Sequence, residues 1–319
     1  MSGVLSPRLV VGLPSFAAED PGDWGHFFRQ ARLLDQGGVD RVVVSDHVVF
    51  GERLEEYGRP EIGGRRGGTQ PTGPDGHWLE PLTALAALVG TTGRVRLGTN
   101  IVVAALRRPV VLAKMAATID VLSGGRLDLG VGVGWQREEY EAAGLAFDRR
   151  GALLDRTLEV CQTLWRSARA EYRSDELAFE AIHMMPKPRQ AGGVPIWVSG
   201  TVNQRVASRL ARFGSGWIPW GDAADDVAVG IASMRAALDA AGRDMSGIRV
   251  VGTLRLRRGQ DGTPDAEATM APVAELAAAG VTDFAVGILR FPEGDDEALE
   301  MVGGLVSAFR SAAGLPATP

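Results

Sequence analysis

The chain has 319 residues, 45% of them apolar, and a formal net charge of −5. That length fits one barrel-sized domain with added loops better than two domains, and the apolar share can bury a large core. Acids and arginines are mixed along the chain with no basic stripe, which argues against a nucleic-acid partner; Cys161 is the only cysteine, which excludes an internal disulfide and any multi-cysteine metal site. Residues 1–13 lack a basic region followed by a long apolar run, and no apolar run approaches the ~18 residues of a membrane span. The expectation is a cytoplasmic protein with no membrane partner.

Strand-like and helix-like segments alternate. Arg8–Leu13 is short and apolar and reads as a strand. Asp23 is positioned to cap a helix from Trp24 to Gln36, stopped by Gly37-Gly38. Arg41–Ser45 is a second buried strand, followed by a long polar loop from Asp46 to His77. Pro81–Thr92 is a helix with proline in its first turn. Val95–Val103 is the third strand, Pro109–Leu122 a helix, and Leu127–Val131 the fourth strand. A helix from Arg150 to Trp165 follows, then an insertion at 171–190 that reads as a short hairpin. Pro195–Ser199, Trp217–Pro219, Ile248–Leu256 and Asp283–Ile288 complete the strands. Helices over Val202–Arg212, Ala223–Ala241, Asp265–Ala279 and Ala298–Arg310 follow them in turn. Eight β-then-α units in order imply a parallel sheet buried on both faces. An open doubly wound sheet fits the alternation too, but eight units without a break favour closure. The fold expected is an α/β (β/α)8 barrel over residues 1–319, with insertions near 46–80 and 171–190.

In such a barrel the active site lies where the strands end. Strand 2 ends in Ser45-Asp46-His47, the one acid–His pair at a strand end, and an imidazole there can move a proton near neutral pH. Position alone leaves open whether Asp46 merely caps a turn. The four histidines are too scattered for a metal site, so no metal is expected. Ser199-Gly200-Thr201 follows a buried strand and opens a helix, an arrangement suited to an anion but also to an ordinary capped turn. Trp135, Trp217 and Trp220 are candidate walls for an aromatic ligand, or core. The glycines at 130, 132 and 134 resemble a dinucleotide turn only superficially. The long loop, rich in glycine and carrying Arg65-Arg66, is positioned to act as a lid.

Several segments together resemble the luciferase-like flavin and deazaflavin oxidoreductases. They are Val44–His47, His77–Leu82, Thr91–Asn100, Arg108–Lys114, Thr118–Arg126, Gly130–Trp135 with Glu138-Glu139-Tyr140, Pro186–Gln190 and Pro195–Gly200. The match covers most of residues 8–221. The resemblance implies that His47, with Asp46, faces the ring of a cofactor. It implies a non-proline cis peptide in a bulge at Asn100-Ile101 behind that ring. It implies that Val133 and Gly134 lie along the cofactor chain, and that Ser199, Gly200 and Thr201 hold its phosphate. Trp135 stands where deazaflavin sugar-phosphate dehydrogenases have a glutamate, which argues against sugar-phosphate oxidation.

The function expected is hydride transfer between coenzyme F420 and a small organic substrate. Arg107, Arg108 and Arg205 are the candidates for the acidic tail of that coenzyme. Reduced-FMN monooxygenation and a non-catalytic flavin carrier are the alternatives. The resemblance also implies a homodimer, for which helices 81–92 and 109–122 offer apolar outer faces.

Overall fold

Eight parallel strands close on themselves in the computed structural model, which describes residues 5–260 and 262–317. Residues 1–4, 261 and 318–319 of the span read as one domain lie outside the described residues. The strands are β1 (Arg8–Gly12), β2 (Arg41–Val44), β3 (Arg96–Thr99), β4 (Leu127–Gly132), β5 (Ile196–Gly200), β6 (Gly214–Pro219), β7 (Arg249–Leu254) and β8 (Asp283–Val286). Each pairs in parallel with the next, and β8 returns to β1. The helices behind them are α1 (Gly25–Gly37), α2 (Pro81–Val89), α3 (Pro109–Leu122), α4 (Arg150–Arg166), α5 (Gln204–Phe213), α6 (Val227–Ala240), α7 (Val273–Ala279) and α8 (Asp295–Ala312). The insertion near 171–190 contains the expected hairpin, Ala170–Arg173 against Ala178–Ile182. None of the helices among the described residues is long and apolar enough to cross a membrane.

Several boundaries differ from the sequence expectation, each for a local reason. Trp24, not Asp23, holds the position before α1, and the Asp23 carboxylate instead takes the Gly25 amide at 2.6 Å. The helix expected over 223–241 is two, because Asp226 turns its carboxylate onto the Val229 amide and starts α6 afresh. The helix expected over 265–279 is also two, Ala266–Met270 and α7, divided at Pro272, which has no amide hydrogen to give. A helix at Arg137–Ala142 was not expected at all.

The third strand departs most. It stops at Thr99, resumes as Val102–Val103, and between the two the Asn100–Ile101 peptide bond is cis. The glycines of β4 make room for this bulge. A Cβ on Gly130 would overlap the Thr99 carbonyl oxygen, and one on Gly132 would lie 2.8 Å from Ile101 Cδ1. Thr99 Oγ1 then donates to the Gly130 carbonyl at 2.7 Å, closing the contact. Of the alternating glycines that resembled a nucleotide turn, Gly130 and Gly132 are therefore strand residues, cleared for a neighbouring backbone, and Gly134 turns the chain past the strand end at φ +67°.

This distinction is measurable. Gly130→Ala forces a backbone oxygen to move, so it should cost at least the ~1–3 kcal/mol of an overpacked core and lower the thermal midpoint. Gly303→Ala, on the exposed side of α8 with nothing within 4 Å of the added carbon, should instead stabilise by about 0.5–1 kcal/mol. Thermal unfolding of the two variants checks both signs.

Candidate active site

The C-terminal ends of the strands surround a cavity of about 540 Å³. All nine residues singled out from the sequence line it: Asp46, His47, Asn100, Ile101, Val133, Gly134, Ser199, Gly200 and Thr201. Their partners are not all the expected ones.

Asp46 does not pair with His47. It is buried, and its carboxylate accepts from the Val103 amide at 2.8 Å and from both ends of the Arg107 guanidinium. Arg107 also donates to Glu80 at 2.9 Å. Burial pushes the Asp46 carboxyl above its usual range, and Arg107 opposes this without cancelling it. Asp46 thus ties the end of β2 to the far side of the bulge, and Arg107 is consumed in doing so. It is not free for an acidic tail, and Arg108 lies outside the cavity lining.

The acid beside His47 is Glu139, fully buried on the unexpected helix Arg137–Ala142. Its Oε1 accepts the Val48 amide at 2.8 Å and lies 3.4 Å from His47 Nδ1, near but not aligned as a hydrogen bond. His47 Nε2 has no hydrogen-bond partner among the described residues and is the nitrogen left for the cavity. Rings pack around the imidazole: Phe50 at 4.2 Å between centroids, Trp78 at 4.8 Å and Trp135 at 6.0 Å. Phe16 stacks on Trp78 at 4.4 Å, and Tyr57 meets Trp135 at 5.4 Å. Of the three tryptophans proposed as walls, Trp135 and Trp220 line the cavity. Trp217 does not; it lies in the core with its Nε1 donating to the Gly200 carbonyl at 3.1 Å.

At the other end, β5 turns into α5 through Gly200, whose φ of +155° lies outside ordinary side-chain territory. A Cβ there would lie 2.7 Å from Val206 Cγ2, so the turn needs glycine to stay tight. Asn203 caps the helix by accepting the Val206 amide at 3.0 Å and donates to Thr201 Oγ1 at 3.1 Å. The first amides of such a helix have no intrahelical acceptor and carry its positive end toward the cavity. Three arginines line the same end. Arg209 binds Asp155 at 2.6 Å, and Arg150 donates to the carbonyls of Ile62 and Phe147. Arg205 has no ion pair among the described residues. A glycine turn, a capped helix start and a free cation fit the phosphate of a flavin or deazaflavin. Among the described residues no His, Cys, Asp and Glu group could hold a metal ion.

The long loop covers the cavity as built structure, with short 3-10 turns at Leu54–Gly58 and Pro60–Ile62. The Gly63 and Gly64 carbonyls each accept from Trp220 Nε1 at 3.1 Å, and Arg65 reaches Asp225 at 2.6 Å. Arg65 is thus a tie between loop and barrel rather than a free cation.

A family model for luciferase-like monooxygenases matches residues 10–279. This chain belongs to the luciferase-like monooxygenase family. An uncharacterised protein of Mycobacterium tuberculosis is 34% identical over 140 residues, which is 44% of this chain and 49% of that protein. Pyrimidine monooxygenase RutA of Cronobacter sakazakii is 34% identical over 119 residues, 36% of this chain and 35% of its own length. The chain thus spans about half the length of the first curated relatives it matches, and less of RutA. The fold also matches an F420-dependent secondary alcohol dehydrogenase solved with an F420-acetone adduct. That match has a TM-score of 0.73 and 17% identity, covering 96% of this chain and all of that one.

Against this family frame, strand-end reasoning reached the cavity but missed Glu139, Phe16, Tyr57, Trp78, Arg150 and Arg209. Glu139 stood inside a matched segment, Glu138-Glu139-Tyr140, without a role. The two carboxylates should now separate experimentally. Asp46→Ala leaves the Val103 amide without its acceptor and Arg107 with Glu80 alone, and should cost about 1–3 kcal/mol of stability. Glu139→Gln keeps the Val48 contact and should leave the thermal midpoint within a few degrees, but it should move the His47 Nδ1 nitrogen resonance. An unmoved resonance would mean that Glu139 does not address the imidazole.

Proposed function

We propose that this protein is a coenzyme F420-dependent oxidoreductase that moves a hydride between the deazaflavin and a small organic substrate. The observation that carries the reading is that one cavity has an anion-receiving end and an open imidazole nitrogen. Arg205 and Arg150, neither of them ion-paired among the described residues, supply more positive charge than one phosphate requires, which suits a coenzyme whose tail is acidic beyond its phosphate. The fold is shared along nearly the whole chain with an F420-dependent alcohol dehydrogenase.

The bound deazaflavin supplies the two-electron hydride chemistry. The chain's own groups do the rest. The Ser199-Gly200-Thr201 turn and the first amides of α5 hold the phosphate, and Val133 and Gly134 line the path of the chain. The Asn100–Ile101 bulge, backed by the β4 glycines, supports the ring, and Asp46 with Arg107 holds that bulge in place. His47 gives or takes a proton at Nε2, with the Glu139 carboxylate beside Nδ1. The loop from Gly51 to His77 excludes water.

Reduced-FMN monooxygenation is the second reading, favoured by the 34% identity to pyrimidine monooxygenase RutA. We also propose that a second copy of the chain docks on the outer face of α3, where Val110, Val111 and Leu122 are exposed; α2 exposes no large apolar side chain. Titration with each cofactor separates the two readings: F420 should bind and FMN should bind weakly. Tight FMN binding without F420 binding would reverse the assignment. His47→Ala should lower turnover by on the order of 10²-fold with cofactor affinity unchanged. Turnover equal to that of the unaltered protein would remove His47 from the chemistry.

A further inference from the structure

The cations of the cavity gather at one end, with the acid Asp148 beside them, and this bears on the substrate. The three lining arginines gather where α4 and α5 begin, beside the Gly200 turn: Arg209 Nη2 donates to the Gly151 carbonyl at 3.2 Å, next to Arg150, and Arg205 is one turn from Arg209 on α5. The His47 end has no cation. Arg107 is spent on Asp46 and Glu80 and does not line the cavity. The loop adds no cation to the lining; its charged residue there, Glu61, is exposed and adjoins Ile62, whose carbonyl accepts from Arg150 at the other end.

Rings line that end and run on from it toward the Gly200 turn. Phe16, Trp78, His47, Trp135, Tyr57 and Trp220 form an unbroken chain of rings, each centroid within 6.1 Å of the next. Because neighbouring rings touch, they make a continuous wall rather than separate posts around a cation. A carboxylate or phosphate buried against such a wall would lose its hydration with no countercharge in return. An uncharged conjugated frame, by contrast, meets π faces and edges along its length.

We propose that the substrate bound at the His47 end is a neutral, largely apolar aromatic or conjugated compound, carrying a single carbonyl or hydroxyl oxygen for His47 Nε2 and no anionic group. This deepens the oxidoreductase reading and rests on it for the reaction. The binding claim itself concerns only this chain's residues.

The test therefore uses binding to the cofactor-free protein. Titration of 2-acetylnaphthalene and of 2-naphthoate, followed by calorimetry, compares a neutral ketone with an anion of the same frame. Both are measured in the Arg205→Ala background, which removes the free cation from the opposite end. The ketone should bind at least about tenfold more tightly than the carboxylate. Phe16→Ala and Trp78→Ala should each weaken the ketone several-fold. The proposal is overturned if the carboxylate binds as tightly as the ketone, or if neither aromatic deletion changes ketone affinity. Failure of the cofactor titrations would instead overturn the oxidoreductase reading, and the two failures are read in separate experiments.

Discussion

The site depends on a steric permission. β4 carries no Cβ at Gly130 or Gly132, and the chain leaving β3 uses that space to turn through Asn100 and Ile101. Without the space, Thr99 could not lie against Gly130 and the third strand would run straight, as its sequence suggests. The bulge is then held from the opposite side by Asp46, which reaches from the end of β2 to the Val103 amide and to Arg107. A carboxylate committed to that task cannot also orient an imidazole. The vacated role beside His47 falls to Glu139, delivered by the helix that follows β4. The strand bearing the glycines and the helix bearing the glutamate are thus consecutive parts of one unit, and both serve the same few ångströms of space.

This division explains what was legible in the sequence. The eight strands were readable because parallel strands covered on both faces are short continuous apolar runs, such as Val42–Val44. Strand ends could then be found by counting, and His47, Gly200 and Thr201 came with them. Glu139 was not readable by that rule, since it lies beyond the strand end on a helix of only six residues, though Gly144, at φ +69°, marks where that helix stops. The partner of Asp46 was not readable either, because Arg107 is 61 residues away and only the closed barrel brings them together. Trp217 and Trp220 look alike in sequence and differ by three positions. One falls within β6 and is packed in the core; the other falls past its end and reaches the loop.

The loop from 51 to 77 shows how composition can mislead. Its glycines suggest a chain with little to hold it. Yet a Cβ on Gly64 would overlap the Tyr57 carbonyl oxygen, and Gly63 adopts a φ of +103°. These glycines permit a compact turn in which the Arg65 amide donates to Tyr57 at 2.8 Å and Trp220 reaches two successive carbonyls. The same residues that read as looseness are the ones that let the loop close tightly over the rings.

What brings these pieces to the same height is the opposite end of the barrel. Arg41, Arg96 and Arg249 enter there, from β2, β3 and β7, and meet Asp128 of β4 and Asp283 of β8. Arg41 is 4% exposed and lies 3.8 Å over the Trp197 ring. Arg96 holds Asp128 with two nitrogens, at 2.8 and 2.7 Å, and keeps its carboxyl below the usual range despite burial. Buried pairs of this kind contribute little net stability, since desolvation offsets the attraction. Their geometry is restrictive, however. Sliding one strand by a residue would turn its charged group out of the belt and flip its whole inward face. The register fixed below sets Arg41 beside Arg96 and Gly98 beside Asp128. Counted upward from those pairs, β2 must end with Asp46 within reach of the bulge, and β4 must present Gly130 to Thr99. The charge belt is therefore a positioning device for a site it never touches.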